Sequence, residues 1–434
     1  MRLKSTLYLL ALVACSVVQE AKADNTLSMN DVTCMRGGET QIVVPVAMNN
    51  TDEITAIQCD IALPYVATMV ENSGVFDIWL DENRKSSNHN LSSTASGGGF
   101  RVVISSPTGK ALKGNSGNVF YFRINVNTLA WAQSYNIKLS NIVLSTVSGA
   151  RITPDHVNAT LTIQCLRGDA NNDGAVNIAD YDVTRRYLSK LSVTGDFYAD
   201  AADCNEDGMV DAADLVCIVL KSKGKTPSTA ATGSNVVTLS GINLLRGQGT
   251  VTDEVSVLLS NSDAISAIQF DLSMPSGVGM KENGDNYDVW LERKSSDHII
   301  TSQLSSGMYR IVVSSPSAAS IGGNSGAVLK FKVNVNTGTV FNRNMTLSNV
   351  VLSTTRGQRI KLEDISADVI VRFITGDANN DYTVDVADYV MACNAIVNKP
   401  QSSTFYLDAA DVDGDGVMTV IDLVKILRIS LGLD

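Results

Sequence analysis

The chain is written twice, and that duplication limits what it can fold into more than any local pattern does. Trp79 and Trp290 anchor the repeat, followed by Lys85-Ser86-Ser87 with Lys294-Ser295-Ser296, Arg101 with Arg310, and Gly114-Asn115-Ser116-Gly117 with Gly323-Asn324-Ser325-Gly326. Later matches are Asn125-Val126-Asn127-Thr128 with Asn334-Val335-Asn336-Thr337, and Leu139-Ser140-Asn141 with Leu347-Ser348-Asn349. The offset drifts only from 211 at the tryptophans to 208 between Asp169 and Asp377, so one unit was copied nearly whole. At 434 residues the chain exceeds one ordinary core, and several domains are expected.

The first part of each unit alternates with period two. Phe120, Phe122, Ile124 and Val126 face one way, and Tyr121, Arg123 and Asn125 the other. The second copy keeps the inward set as Leu329, Phe331, Val333 and Val335, while Lys330, Lys332 and Asn334 point out. Such alternation is the mark of half-buried strands. Many short strands, broken by Gly, Asn, Asp and Ser turns and without helical segments, predict a β-sandwich of about 140 residues in each unit. After each sandwich the period switches, predicting short helices over 181–188, 215–221, 389–397 and 423–431. Between the units, 225–234 has the Thr, Pro, Ser and Gly content of a linker.

Each predicted helix is opened by a twelve-residue segment with oxygen-bearing side chains at spaced positions. Residues 169–180 present Asp169, Asn171, Asp173, Asn177 and Asp180 at positions 1, 3, 5, 9 and 12, with Gly174 at 6 and the Ala175 carbonyl at 7. Residues 203–214 present Asp203, Asn205, Asp207, Gly208, Met209, Asp211 and Asp214 in the corresponding slots. Residues 377–388 give Asp377, Asn379, Asp381, Thr383, Asp385 and Asp388, and residues 411–422 give Asp411, Asp413, Asp415, Gly416, Val417, Thr419 and Asp422. Calcium takes six to eight oxygens at about 2.3–2.6 Å from such a loop, with glycine at position 6 for the sharp turn. Position 8 is apolar in all four (Val176, Val210, Val384, Met418), so up to four bound Ca²⁺ are expected. The third loop has Tyr382 where glycine belongs. A tyrosine at positive φ is strained, and the weakest site is expected there.

Lys+Arg is 34 against Asp+Glu 45, a net charge of -11 that argues against nucleic acid or an anionic membrane surface as partner. Arg2 and Lys4, an apolar run over 7–18, and Ala21-Lys22-Ala23 before Asp24 have the layout of a secretory signal peptide over 1–23, predicting a secreted or cell-surface protein. Leu12-Val13-Ala14-Cys15 offers a competing reading as a lipoprotein box, with Cys15 lipidated. No later segment reaches the roughly 18 apolar residues of a membrane span. Cys59, Cys165 and Cys204 align with Phe270, Phe373 and Val412 in the other copy, which predicts buried thiols rather than disulfides. Cys34 with Cys165 is the first pair to test for a bridge.

The paired loop-helix segments, opening at Gly168-Asp169 and Gly376-Asp377, resemble dockerin modules. The sandwiches resemble cohesin modules in Gly37-Gly38-Glu39 leading into Val43-Val44-Pro45-Val46, in Ile57-Gln58-Cys59-Asp60-Ile61, and in Leu139-Ser140-Asn141-Ile142-Val143-Leu144. The resemblance implies a mainly β chain with two cohesin-like β-sandwiches, each followed by a small all-α dockerin. The boundaries are then signal peptide 1–23, sandwich 24–165, dockerin 166–224, linker 225–234, sandwich 235–373 and dockerin 374–434. It implies calcium-dependent protein–protein docking in bacterial extracellular assemblies, often those that degrade plant polysaccharide. In dockerins of this kind positions 10 and 11 of each loop, with the helix that follows, make the cohesin contact. Here they are Ile178 and Ala179, Ala212 and Ala213, Val386 and Ala387, and Val420 and Ile421, all apolar where the best-known type carries hydroxyl pairs. Two readings stay open: docking on a cohesin or dockerin module of a partner protein, or packing on the chain's own sandwich.

An enzyme is not expected. A glycosidase needs two carboxylates roughly 5–10 Å apart across a cleft, and the acids outside the loops, such as Asp77 and Glu82 (Asp288 and Glu292 in copy two), flank tryptophans in a loop. His89, His156 and His298 lack a nucleophile motif and read as structural. Carbohydrate binding is the remaining alternative. Aromatics are only 6% of the chain, and Trp79 and Trp290 with Tyr287 are its repeated candidates; loop anchors are the simpler reading.

Overall fold

The computed structural model describes residues 25–228, 230, 232–293, 297–401 and 403–433; the expected signal segment 1–23, with Cys15, lies outside them. The chain forms two compact units, one ending at Gln164 and the other beginning at Cys165.

The first unit is a β-sandwich. One sheet runs in the order Thr26–Met29, Gln41–Asn49, Asn118–Val126, Ala67–Met69, with Ile78–Leu80 also pairing Asn118–Val126. The other runs Val32–Met35, Val157–Gln164, Ser134–Thr146, Ile54–Ala62, Gly99–Ser105, Asn90–Ser96. Pairing is antiparallel except between Val157–Gln164 and Val32–Met35. The period-two pattern sets the layers: Phe120, Phe122 and Ile124 are fully buried against Ile57, Cys59, Ile61, Ile104 and Ile137 of the facing sheet. Burial pushes the Cys59 thiol up to about 12, so it stays protonated.

The second unit repeats this sandwich with the same strand order and carries both helical modules. Phe270 takes the place of Cys59 in its core. A polar clamp recurs on the outer face of the longer sheet in each copy. Arg101 Nε and Nη2 donate to the two oxygens of Asp60, each at 2.7 Å, and Asn141 Nδ2 donates to Asp60 Oδ2 at 2.7 Å. Arg310, Asp271 and Asn349 repeat the arrangement. Asn141 and Asn349 sit at φ 51° and 50°, a conformation asparagine tolerates, beside the point where the ladder shifts register.

The helices are α1 (Ile178–Leu188), α2 (Ala199–Ala202), α3 (Ala212–Ser222), α4 (Val386–Ile396), α5 (Leu407–Ala410) and α6 (Val420–Ser430). The four long ones start three residues earlier than the sequence predicts. Position 9 of each loop is the N-cap and the position-12 aspartate is the third helical residue, closing a capping box at Asn177/Asp180, Asp211/Asp214, Asp385/Asp388 and Thr419/Asp422. The loop therefore supplies the first turn of its helix. The single turns α2 and α5 were not expected from sequence; they are too short to carry a periodic signal.

The cysteine expectation is corrected. Cys204 and Cys217 form a disulfide, with Cα atoms 5.9 Å apart. Cys204 is position 2 of the second loop and Cys217 lies one helical turn into α3, so the loop-helix fold itself brings them together. Its counterpart pair is Val412 and Lys425, and comparing Cys204 with Val412 alone hid the partner. Cys34 is a buried thiol, and Cys165 is a thiol whose Sγ sits 3.9 Å from the Asp200 carbonyl oxygen.

Bridging a loop of this length restricts the unfolded chain by about 3 kcal/mol. The double variant Cys204→Ser, Cys217→Ser should therefore lower the unfolding free energy of the α1–α3 module by about 2–3 kcal/mol, measured by urea titration of amide exchange over 212–222.

Candidate functional site

Each loop is folded by its own carboxylates. Asp169 Oδ1 accepts from the Asp173 N–H at 3.0 Å and its Oδ2 from Gly174 N–H at 2.9 Å; Asp203, Asp377 and Asp411 make the same pair of bonds in their loops. The position-12 carboxylate reaches back across the loop: Asp180 accepts from Asn171 and Asn177 N–H, Asp388 from Asn379 and Asp385 N–H. Asp180, Asp214, Asp388 and Asp422 are fully buried. Burial raises the Asp180 and Asp388 carboxyls above the ordinary range, and pushes Asp214 up to about 8. Asp173 and Asp381 move the other way, held down by hydrogen bonds from Asn171 and from Thr383.

Two oxygens on one calcium at about 2.3–2.6 Å stand no more than about 5 Å apart. Carboxylate oxygens of Asp169, Asp173 and Asp180 lie within 4.8 Å of one another, as do those of Asp377, Asp381 and Asp388, and those of Asp411, Asp413 and Asp415. The donor set is all oxygen and acidic, and it fits a hard divalent cation. In the second loop a cation from elsewhere has arrived: Arg359 Nε lies 2.5 Å from Asp211 Oδ2 and 3.3 Å from Asp207 Oδ2.

Glycine is required at one further place. Gly168 and Gly376 stand at φ 101° and 95°, and a Cβ on either would come within 2.9 Å of the position-8 valine, Val176 or Val384. Tyr382 stands at φ 76°, matching Gly174, Gly208 and Gly416 at 89°, 85° and 85°. Its N–H still donates to Asp377 Oδ2 at 3.0 Å, so the turn survives the substitution. The ring packs on Gly247 of the second sandwich, where a Cβ would overlap it, and Arg246 lies 6.0 Å over its face while also capping Phe373 and Tyr406 at 5.7 Å. That contact offsets the backbone strain, which is of order 1–3 kcal/mol.

The eight position-10 and position-11 residues divide unequally. Ala212 and Ala213 are fully buried, whereas Ile178, Ala179, Val386, Ala387, Val420 and Ile421 are exposed. The reason is that α3 lies on the outer face of the second sandwich, against the strands Ile265–Ser273, Met308–Ser314 and Phe341–Thr354. Ala212, Val216 and Leu220 pack on Ala267 and Ala318, while Val312 joins Tyr181, Leu188, Leu215 and Ile218. Tyr181 Oη and Ser314 Oγ are 2.8 Å apart, Ser189 Oγ meets Thr301 Oγ1, and Lys223 Nζ donates to the Ser317 carbonyl at 2.7 Å. After α3, the Ser228 N–H donates to the Arg356 carbonyl at 2.9 Å, so this part of the linker-like segment also lies on that sandwich. Of the two readings left open, packing on a sandwich of the same chain holds for α3, and that sandwich is the one that follows it in sequence. A signal existed, since 215–220 is apolar all round and such a helix is buried on every side.

The other candidates are engaged structurally. Asp77 pairs with Arg123 at 3.4 Å and Asp288 with Lys332 at 3.5 Å, while Glu82 pairs with Lys85 at 2.5 Å and Glu292 accepts from Trp290 Nε1 at 3.1 Å. Trp79 stacks on Tyr121 under Arg123, and Trp290 lies under Lys332; both are half-buried. Tyr287 is edge-on to Tyr309. His89 Nδ1 is 2.7 Å from Ser86 Oγ and His298 Nε2 is 2.9 Å from the Ser266 carbonyl; burial lowers the pKa of both.

Residues 167–219 and 375–428 each match the family model of the dockerin type I domain. The chain thus carries two type I dockerin domains, a calcium-binding, non-catalytic docking domain, in the segments that hold α1–α3 and α4–α6. No curated protein matches the chain in sequence. Among solved structures it is similar to a non-cellulosomal cohesin from the archaeon Archaeoglobus fulgidus, at 20% identity over 32% of this chain and 91% of that one, TM-score 0.27. It is also similar to a type I cohesin–dockerin complex from Clostridium thermocellum, at 16% identity over 32% and 98%, TM-score 0.28. A cohesin from Clostridium acetobutylicum matches at 15% identity over 33% and 93%, TM-score 0.27. Among the described residues no helix is long and apolar enough to cross a membrane.

Gly247→Ala tests the seat of the third loop. The new methyl displaces the Tyr382 ring, and amide exchange over 376–388 should accelerate several-fold while 212–222 is unchanged; equal rates in both segments would refute the coupling.

Proposed function

We propose that the chain is a secreted, non-enzymatic adaptor whose dockerins dock on sandwich modules in a calcium-dependent way, within an extracellular or cell-surface assembly of the kind that degrades polysaccharide. The observation that carries this reading is the seat of α3: one dockerin helix already lies across the outer face of a sandwich, so the chain contains an example of the interface it would make elsewhere. The first dockerin holds the chain's own modules together, and the second, with Val420, Ile421 and Val424 exposed, reaches outward. The Cys204–Cys217 disulfide fits an oxidising compartment and supports export.

Calcium acts first on folding. Several carboxylates within a few ångströms repel one another, and short helix pairs are marginal alone. A cation bound to the folded loop stabilises it by about 2.7 kcal/mol per site at 100 times Kd. The two dockerins are supported differently, for the first has a disulfide and a covered α3 while the second has neither and meets the second sandwich at Tyr382, whose loop is the weakest of the four sites.

Chelation should therefore be asymmetric. In EGTA, amide exchange over 386–396 and 420–430 should rise at least tenfold while 212–222 stays slow. Protection of α4 and α6 that ignores calcium would overturn calcium-dependent folding of the outward dockerin.

A further inference from the structure

We propose that the chain assembles head to tail with a second copy of itself, α6 of one copy seating on the outer face of the first sandwich of the next. This rests on the docking reading above and names its partner.

The first sandwich repeats the seat that α3 occupies on the second. Val103, Gln58 and Val143 lie side by side across three strands, as Val312, Gln269 and Val351 do. Ser105, Ala56 and Ser145 correspond to Ser314, Ala267 and Ser353, and Arg151 to Arg359. On the second sandwich this face is covered: Val312, Ser314, Ala267 and Ser353 are all 0% exposed. On the first it is open, with Val103 36% exposed, Ser105 exposed and Ala56 and Ser145 half-buried. Gly357 and Gly149 report the same contrast. A Cβ on Gly357 would lie 3.3 Å from Leu220 Cδ1 and 3.2 Å from Pro227 Cβ, while around Gly149 there is nothing within 4 Å. A depression of about 540 Å³ stands there, lined by Asp52, Glu53, Thr146, Val147, Ser148 and Ala150 among others.

The helix to fill it is α6. Val420, Ile421 and Val424 stand where Ala212, Ala213 and Val216 do in α3, and they are 66%, 55% and 58% exposed. Two differences between the copies match across the proposed contact. The helix gains bulk at Val420 and Ile421, and the sandwich loses it, Gly109 standing where the second sandwich has Ala318. Arg428 replaces Leu220, the residue beside Gly357, and the depression around Gly149 is lipped by Asp52 and by Glu53 in place of Ala264. Arg151 and Asp415 remain as the counterparts of the Arg359–Asp207 ion pair. These exchanges of volume and charge fit that helix to that face. A contact of unlike surfaces repeats along a row of copies and gives open filaments or closed rings.

The test uses full-length chain in calcium, followed by sedimentation velocity from about 1 to 100 μM. Wild type should form dimers and longer species with rising concentration. Val424→Asp disables the helix and Val103→Asp the sandwich; both sites are exposed, so the fold should persist, checked by unchanged far-ultraviolet dichroism. Each variant alone should lose association by roughly 50-fold or more. Mixed in equal amounts they should form heterodimers and nothing longer, since one intact helix meets one intact sandwich. A wild-type monomer throughout the range, or a mixture that stays monomeric, overturns the proposal. If the monomer still shows calcium-dependent protection of 420–430, self-assembly alone has failed; if that protection is also absent, the docking reading has failed with it.

Discussion

Four buried carboxylates organise the helical modules of this protein. Asp180, Asp214, Asp388 and Asp422 each close a twelve-residue loop from its far end, and each is also the third residue of the helix that follows. A carboxylate taken out of water is unfavourable unless its oxygens are satisfied. Here they are satisfied by backbone N–H groups of the same loop, and around Asp180 and Asp388 the carboxylate cluster fits a hard cation. Helix initiation and loop closure therefore depend on one side chain per repeat. That is why the modules can be so small.

The sandwiches supply what the dockerins lack, a broad flat face. Alternation along Gly99–Ser105 and Met308–Ser314 sends Val102 or Ile311 inward and leaves Val103 or Val312 on the outside. An outward valine is a modest feature on one strand, but three strands in register make a strip of Val, Gln and Val flanked by small serines and alanine. A helix with alanines at its first turn can approach such a strip closely. The Asp60 and Asp271 clamps tie the bulged strand beside it to its neighbours.

The strands were legible because half-buried sheets write their register in plain alternation, and the loops because ligand chemistry fixes residue type at fixed spacing. The helix starts were misjudged by three residues for a physical reason: Ile178-Ala179 and its counterparts look like loop by ligand spacing, yet they are already helical because position 9 caps them. The disulfide was missed because comparing the two copies position by position favours what they share, and Cys204 and Cys217 are both private to the first copy. Tyr382 was read correctly as standing at positive φ, but its compensation lay on Gly247, far away in sequence. Tertiary contacts of that sort leave no periodic trace.

The pairing of α3 with the sandwich after it, rather than before it, gives the polypeptide a direction. If each dockerin served the sandwich behind it, every repeat would be self-contained and duplication would add independent beads. A displacement of one module means that any number of repeats leaves a cradle at one end and a bare helix at the other. Growth by gene duplication would then lengthen the chain while preserving the same two kinds of surface.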